Sequence, residues 1–299
     1  MSLNVITTPR YGFAPGSQPD VQLAYADWGS PNTPPEATII AVHGITANLR
    51  GWDALAEKLV AFGFRFIAYD LRGRGDSSKP TTGYNLALHS FDLAALLDYF
   101  KLPQANIFGH SLGAAISVYF AAHFPDRTRR LVLLDGGALT PDDAKAAISR
   151  SLDRLGKTFP SLPEYLRLFR GSPYFPVWSE NIENYYAYDA RVNPDGTTMS
   201  KIPPAAIEEE WNNLMLTHQY LAVLHTIIKS PTLVLRATVG LLDDGKAGFI
   251  LTEAACQKLL AAICQNAPAK LMDVANTNHF TIMFEAAPEM VQELNEFFR

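Results

Sequence analysis

Short runs of consecutive apolar residues alternate, over roughly the first 135 positions, with longer stretches in which apolar residues recur at helical spacing. Continuous apolar runs are typical of strands buried on both faces of a sheet, and the spaced pattern is typical of helices that cover it. Strands are predicted at 21–28, 37–42, 65–70, 106–109 and 130–135, and helices at 52–62, 86–100 and 114–124. The alternation predicts an α/β fold with a mostly parallel central sheet flanked by helices.

The alternation stops near residue 136 and resumes near residue 231. The intervening segment has little strand character, many aromatic residues, and helical spacing at 144–155, 162–169 and 206–228. Beyond it, strands are predicted at 231–237 and 270–274, and helices at 253–262 and 287–298. We therefore predict a core domain of residues 1–136 and 231–299, with residues 137–230 inserted as a helical cap, or lid, over the sheet edge where ligands bind.

The composition is that of a globular protein with a large core, because 48% of the residues are hydrophobic and 18% are charged. A formal net charge of −5 without a basic cluster argues against a nucleic-acid partner. No apolar run approaches the length of a membrane span, and the N-terminus lacks a signal-peptide pattern. We expect a cytoplasmic protein that binds a small molecule and no membrane, and we leave a homodimer open.

The two cysteines, Cys256 and Cys264, lie eight residues apart in a predicted helix. A rise of about 1.5 Å per residue separates them by about 12 Å, which is too far for a disulfide. We expect two buried free thiols. The sequence has no histidine–cysteine cluster with metal-ligand spacing and no strand-linked G-x-G-x-x-G pattern, so we expect neither a metal nor an organic cofactor.

A G-x-S-x-G motif, Gly109-His110-Ser111-Leu112-Gly113, follows a predicted strand and opens a predicted helix. In that context the motif holds a serine on a sharp turn above a sheet, and its glycines allow the strand and helix to approach each other. The helix N-terminus also favours negative charge at this point. Ser111 is therefore the candidate nucleophile, and the competing interpretation is a chance match in a turn.

A second turn follows the buried strand that ends at Val42. After His43-Gly44 the backbone N–H of Ile45 can point toward Ser111, and the N–H of Leu112 is the natural second donor. Two such donors would form an oxyanion hole, in which the loss of one donor typically costs about 3 kcal/mol. We interpret the His43 imidazole as structural, ordering the loop through hydrogen bonds.

His279 is the candidate base, because it follows the last predicted strand and precedes the last predicted helix. A loop in that position lies above the sheet and near Ser111, where an imidazole can accept the hydroxyl proton. We expect structural roles for the histidines in helix-like segments or within the turn, namely His89, His123, His218, His225 and His110.

Over nearly its whole length the sequence resembles the α/β-hydrolase superfamily. The resemblance rests on the serine motif, on His43-Gly44, and on residues 70–77, which are similar to the superfamily's D-x-R-G-x-G-x-S loop. It implies an α/β-hydrolase fold with structural roles for Asp70 and Arg72. Dehalogenases and epoxide hydrolases of this fold use a carboxylate where this chain has Ser111, so we set those activities aside.

The resemblance leaves two candidates for the acid that orients His279. In most relatives the acid follows the strand corresponding to residues 231–237, but Gly240 occupies that position here, and Asp243 can reach only if the loop bulges. In a minority, including some haloalkane dehalogenases, the acid follows the strand after the nucleophile helix, where this chain has Asp135. We favour Asp135 and keep Asp243 as the alternative.

The predicted cap is dense in aromatic residues between 159 and 188. We expect most of them to pack between cap and core and to leave an apolar, water-poor pocket for a small substrate. The same region carries arginines that we interpret as parts of solvated helix faces, namely Arg150, Arg154, Arg167, Arg170 and Arg191.

The sequence thus predicts a serine hydrolase that cleaves a small, partly apolar carboxylic ester or lactone through an acyl-enzyme on Ser111, with His279 as base. A carbon–carbon bond or amide hydrolase of the same fold is the alternative. From another class, the alternative is a ligand-binding receptor on a hydrolase scaffold with little turnover, against which the intact Ser111 and His279 argue.

Overall fold

The computed structural model describes residues 8–299, apart from the side chains of residues 150–151 and 215–218. The side chains of Arg150 and His218 therefore lie outside the described part. The strands are β1 (Arg10–Pro15), β2 (Gln22–Trp28), β3 (Thr38–Val42), β4 (Arg65–Tyr69), β5 (Ala105–His110), β6 (Thr128–Leu134), β7 (Ala190–Val192), β8 (Thr198–Ser200), β9 (Thr232–Ala237) and β10 (Ala269–Val274).

Helices cover both faces of the sheet and fill the segment between β6 and β9. They are α1 (Asp53–Ala61), α2 (Leu86–Tyr99), α3 (Leu112–His123), α4 (Asp142–Leu152), α5 (Leu162–Arg170), α6 (Glu180–Asp189), α7 (Pro204–His225), α8 (Glu253–Ile263), α9 (Thr281–Phe284) and α10 (Pro288–Phe298).

The main sheet has eight strands in the order β1-β2-β4-β3-β5-β6-β9-β10. From β4 onward in that order, the strand pairs are parallel. In the centre, Ile40 of β3 lies between Ile67 of β4 and Ile107 of β5, and all three are fully buried. Because helices cover both faces, both faces of each central strand must be apolar, which explains the continuous hydrophobic runs. The predicted α/β fold is confirmed.

The edge of the sheet differs from the prediction. β1 was not predicted, and it pairs antiparallel with β2, which in turn pairs antiparallel with β4. Tyr11 and Phe13 of β1 are more than half exposed, while Ala14 is buried. An edge strand exposed on one face does not produce the apolar run that marks the central strands.

The segment between β6 and β9 contains α4 to α7 and a small antiparallel pair, β7 with β8. Neither α6 nor this pair was predicted. The long helix α7 packs against α3 and α8 of the sheet-covering layer. The division of the chain into a core at 1–136 and 231–299 and a cap at 137–230 stays a prediction.

The topology brings the candidate site residues to one edge of the sheet. Ile45 follows β3, Ser111 follows β5, Asp135 follows β6, and His279 follows β10. The carboxyl ends of parallel strands face the same way, so loops that follow them meet above the same edge.

Two further observations complete the fold. Both cysteines are free, but Cys264 is exposed and only Cys256 is buried, so the expectation of two buried thiols was half wrong. Cys264 caps the end of α8, which explains its exposure. Within residues 8–299, none of the helices combines the length and apolar character needed to span a bilayer.

Candidate active site

Ser111 sits on a strained turn between β5 and α3, with φ 57° and ψ −120°. A non-glycine residue in such a region costs of order 1–3 kcal/mol, which the surroundings must impose. The neighbouring glycines show how tightly the turn is packed. A Cβ on Gly113 would lie 2.0 Å from the Val42 carbonyl oxygen, and one on Gly109 would lie 2.3 Å from the Gly113 oxygen. Only glycine at these positions lets α3 begin this close to β3.

The His279 imidazole joins Ser111 to Asp135. Its Nε2 lies 3.0 Å from Ser111 Oγ, and its Nδ1 lies 2.7 Å from Asp135 Oδ2. A carboxylate can only accept, so Nδ1 carries the proton and Nε2 accepts from the serine hydroxyl. The arrangement can therefore remove the proton of Ser111 and stabilise the imidazolium that results.

Asp135 is held in place by its own backbone and by β9. It follows β6 with φ 43°, and its N–H donates to the Leu235 carbonyl at 2.7 Å. Its second carboxylate oxygen, Oδ1, accepts the Ala237 N–H at 3.0 Å. The side chain is almost fully buried. With one oxygen fixed on Ala237, the other is aimed at the His279 ring.

The alternative acid, Asp243, lies elsewhere. It is exposed in a turn, where Leu242 pairs with Ala247 and the Gly240 N–H donates to the Gly245 carbonyl. The structure does not bring its side chain to His279. A Cβ on Gly240 would lie 2.0 Å from the Ala247 oxygen, so the returning chain occupies the space that an acid at position 240 would need.

The turn after β3 orients the Ile45 N–H. Buried His43 contacts the Gly44 carbonyl through Nδ1 at 2.8 Å, and its Nε2 accepts the Leu71 N–H at 3.0 Å. Since Nε2 accepts, Nδ1 must be the donor. Burial lowers the pKa of His43 to about 3, so the ring stays neutral near neutral pH. This bond fixes the peptide plane that carries the Ile45 N–H on its opposite side.

Leu112 is the first residue of α3, so its N–H has no partner within the helix. Together with the Ile45 N–H it belongs to the backbone that surrounds Ser111. A Cβ on Gly44 would lie 3.1 Å from Ser111 Cβ, which shows how closely the two turns approach each other.

His110 packs against His279 and forms a hydrogen bond to its backbone. Its ring lies 4.7 Å from the His279 ring, centroid to centroid, and its Nε2 donates to the His279 carbonyl at 2.9 Å. Burial lowers the pKa of His110 well below its ordinary value, so it is neutral. His110 thus packs under the turn, as its position in the motif predicts.

Two spaces meet at Ser111. One is a small cavity of about 30 Å³, lined by Ser111, His279 and apolar side chains that include Met283 and Phe284. The other, of about 40 Å³, lies toward Trp211 and Leu221. Both are mostly apolar, which suits ligand groups without charge.

An outer cavity of about 410 Å³ adjoins the first space through Thr46, Tyr185, Tyr186 and Phe280. Aromatic rings form most of its wall, and Tyr186 stacks on Phe169 with ring centroids 3.5 Å apart. The predicted aromatic segment thus supplies the walls of a cavity next to Ser111.

Several residues have surroundings that the sequence did not indicate. Arg154 is buried beside Asp189 at 3.6 Å and lines the outer cavity, so its interpretation as part of a solvated face was wrong. Arg167 and Arg170 are exposed and paired with Glu164 and Glu183 as surface ions.

The remaining histidines have local partners. His123 contacts the Tyr119 carbonyl one helical turn back, and His225 contacts the Gly137 carbonyl at 2.8 Å. His89 is different, because it is fully buried against Glu210. The described residues contain no group of three or more His, Cys, Asp or Glu side chains that could hold a metal ion.

Comparison with known proteins finds one matching family model and several similar hydrolases. Residues 37–176 match a family model described as the alpha/beta hydrolase fold. A stretch of 93 residues is 42% identical to 2-(acetamidomethylene)succinate hydrolase of Mesorhizobium japonicum, covering 31% of this chain and 33% of that protein. A stretch of 121 residues is 32% identical to 3-oxoadipate enol-lactonase 2 of Acinetobacter baylyi, covering 40% of this chain and 43% of that protein.

These matches span less than half the length of the curated relatives. A crystal structure of E-2-(acetamidomethylene)succinate hydrolase superposes with a TM-score of 0.79 at 23% identity, covering 96% of this chain and 99% of that one. At that identity the likeness concerns the fold, and it extends over nearly the whole chain.

Proposed function

We propose that this chain is a serine hydrolase of the α/β-hydrolase superfamily and that it acts on a small, partly apolar carboxylic ester or lactone. The observation that carries the proposal is the hydrogen-bonded series from Ser111 through His279 to Asp135, with distances of 3.0 and 2.7 Å. Nucleophile, base and orienting acid in this geometry are the requirements for acyl transfer through serine.

In the proposed mechanism, Ser111 Oγ attacks the substrate carbonyl while His279 Nε2 takes its proton. The Asp135 carboxylate stabilises the imidazolium formed at that moment. His279 then protonates the leaving oxygen, which departs and leaves an acyl group on Ser111. Water, activated by the same imidazole, releases the acid and restores the serine.

The negative charge that develops on the carbonyl oxygen needs donors that are already in place. We assign this role to the N–H groups of Ile45 and Leu112. His43 supports the first by fixing the Gly44–Ile45 peptide plane, and the N-terminus of α3 supports the second. Preformed donors need no reorganisation during the reaction, which is why they contribute strongly.

The substrate class follows from the spaces around Ser111. They are small and mostly apolar, and both are lined by Ser111, so they favour apolar groups next to the substrate carbonyl. The aromatic outer cavity adds room for a flat or extended group beyond Tyr186. These features favour a small organic substrate over a polymer.

One observation favours a second candidate, hydrolysis of an amide. The stretch with 42% identity belongs to 2-(acetamidomethylene)succinate hydrolase, whose name describes an acetamido compound. The Ser111 chemistry serves amides as well as esters, provided that His279 protonates the leaving nitrogen.

A panel of p-nitrophenyl esters, simple lactones and anilides, assayed with wild type and Ser111→Ala, tests the proposal. We expect turnover of esters or lactones that is lost by at least a thousandfold in Ser111→Ala. Faster turnover of anilides than of esters would favour the amide hydrolase. Absence of turnover in the whole panel, or turnover that survives Ser111→Ala, would contradict a serine hydrolase, and the former result would support the receptor.

A further inference from the structure

We propose that Arg74, held by Glu210 of α7, is a positioning residue for the Ile45 oxyanion donor, so that the helical segment between β6 and β9 stabilises the oxyanion turn. This inference rests on the proposed function for its catalytic consequence. The effect of Arg74 on the conformation of the turn at 43–46 can be measured without any substrate.

Arg74 lies at the centre of a fully buried group of polar side chains. Its Nε donates to the Ile45 carbonyl at 2.9 Å, and its Nη1 donates to the Arg72 carbonyl at 3.1 Å. Its Nη2 donates to Glu210 Oε2. The other carboxylate oxygen of Glu210 lies 2.5 Å from His89 Nε2. Arg74, His89 and Glu210 are each at most 1% exposed.

The charges of this group balance. Burial lowers the pKa of His89 well below its ordinary value, so the ring is neutral and its Nε2–H donates to Glu210. Burial lowers the pKa of Arg74 to about 9, which leaves the guanidinium charged at neutral pH. One cation therefore faces one anion, and the anion comes from a helix 136 residues away in the chain.

The contact with Ile45 explains the positioning role. The Gly44 carbonyl accepts from His43, and the Ile45 carbonyl accepts from Arg74. The peptide planes before and after the Ile45 Cα are thus both held by buried side chains. An oxyanion donor must lie about 2.7–3.1 Å from the developing charge, so a small rotation of either plane weakens it.

α7 is fixed to the loop after β4 by more than Glu210. Glu209 accepts the N–H groups of Gly83 and Tyr84 at 2.9 and 3.0 Å, and Asn213 donates to the Tyr84 carbonyl at 3.0 Å. The helix therefore has a defined position relative to the loop that carries Arg74. Movement of α7 would pull on Arg74 and, through it, on the Ile45 carbonyl.

A neighbouring ion pair supplies a matched control. Arg72 and Asp92 are equally buried, and Arg72 Nε lies 2.7 Å from Asp92 Oδ2. The side chain of Arg72 bonds to Ser17, Gln18 and Gly83 besides Asp92, and not to the turn at 43–46. Breaking this pair tests the general cost of losing a buried ion pair in the same loop.

The experiment compares two double variants, Arg74→Met/Glu210→Gln and Arg72→Met/Asp92→Asn, neither of which leaves a buried charge without its partner. With p-nitrophenyl acetate, we expect the first to lower kcat by 10- to 100-fold with KM within threefold of wild type. We expect the second to change kcat by less than threefold, even where its melting temperature falls as much. Equal losses of kcat in both variants would overturn the positioning role.

A crystal structure of Arg74→Met/Glu210→Gln supplies the independent measurement. We expect the Ile45 peptide planes to rotate and the Ile45 nitrogen to move relative to Ser111. An unchanged Ile45 nitrogen overturns the inference. If wild type has no turnover that depends on Ser111, the proposed function fails, and the crystal structure alone decides whether Arg74 positions the turn.

Discussion

Replacing Asp135 by asparagine isolates the contribution of one carboxylate oxygen. In wild type, Asp135 Oδ1 accepts the Ala237 N–H while Oδ2 accepts the His279 Nδ1–H. An asparagine amide has one acceptor and one donor group, and its oxygen will remain on Ala237 because that N–H has nowhere else to donate. The NH2 group then faces His279 Nδ1.

The expected magnitude follows from the tautomer. A donor facing Nδ1 forces the imidazole to place its proton on Nε2, where it can no longer accept from Ser111 Oγ, 3.0 Å away. Loss of the orienting acid in serine hydrolases costs about 10⁴ in turnover. At about 1.36 kcal/mol for each factor of ten, this is an increase of about 5 kcal/mol in the activation free energy. Folding should change little, because the isosteric amide keeps the Ala237 bond.

The assay is steady-state hydrolysis of p-nitrophenyl acetate, with thermal unfolding as a check of the fold. Asp243→Asn is the matched control, since that side chain is exposed, and we expect it to retain activity within twofold. Asp135→Asn activity above one tenth of wild type, in a folded protein, would refute the reasoning. So would a larger loss in Asp243→Asn.

Three further outcomes are expected. Gly240→Ala should lower the free energy of unfolding by about 1–3 kcal/mol, because the alanine Cβ would lie 2.0 Å from the Ala247 oxygen. An unchanged midpoint of urea unfolding would contradict this packing. The pKa of His43 is about 3 in the fold, below the usual value near 6.5, so the unfolded chain takes up its proton first as pH falls and stability is lost below about pH 6.5. The loss in urea-unfolding free energy between pH 7.5 and 5.0 should therefore be ~2 kcal/mol smaller in His43→Gln than in wild type, and equal losses would contradict a neutral buried ring. Tyr186→Ala should join the space at Ser111 to the outer cavity, because Tyr186 lines both. The ratio of kcat/KM for p-nitrophenyl octanoate to that for the acetate should then rise by about tenfold, within the 1–3 kcal/mol that an apolar pocket can discriminate. An unchanged ratio would show that the acyl chain does not enter the outer cavity.

The central part of the fold was predictable because each element carries its own signal. The strands β3, β4 and β6 each contain a run of four apolar residues, and Ser111 occupies a motif with a defined place between strand and helix. The position of His279 followed from the order of elements, since loops after parallel strands share one edge. Asp135 was favoured over Asp243 because of the resemblance to a minority of α/β-hydrolases. The catalytic roles of His279 and Asp135 stay proposals that the experiments above test.

What the sequence did not indicate depends on contacts between distant parts of the chain. Glu210 looks like an ordinary helical residue until the fold places it against Arg74, and Arg154 looks solvated until Asp189 lies beside it. Likewise, Gly240 became informative only when Ala247 was found to occupy the space of its missing side chain. Periodicity and motifs indicate local structure, and they do not show which charged residues come into contact across the molecule.

The most direct test of the account is covalent labelling of Ser111 by a fluorophosphonate, read out by peptide mass spectrometry on the folded protein. We predict one adduct, on the peptide that contains Ser111, formed at least a hundredfold more slowly in His279→Gln than in wild type. Failure of wild type to react, or a rate that does not depend on the imidazole 3.0 Å from the hydroxyl, would contradict the claim that His279 activates Ser111.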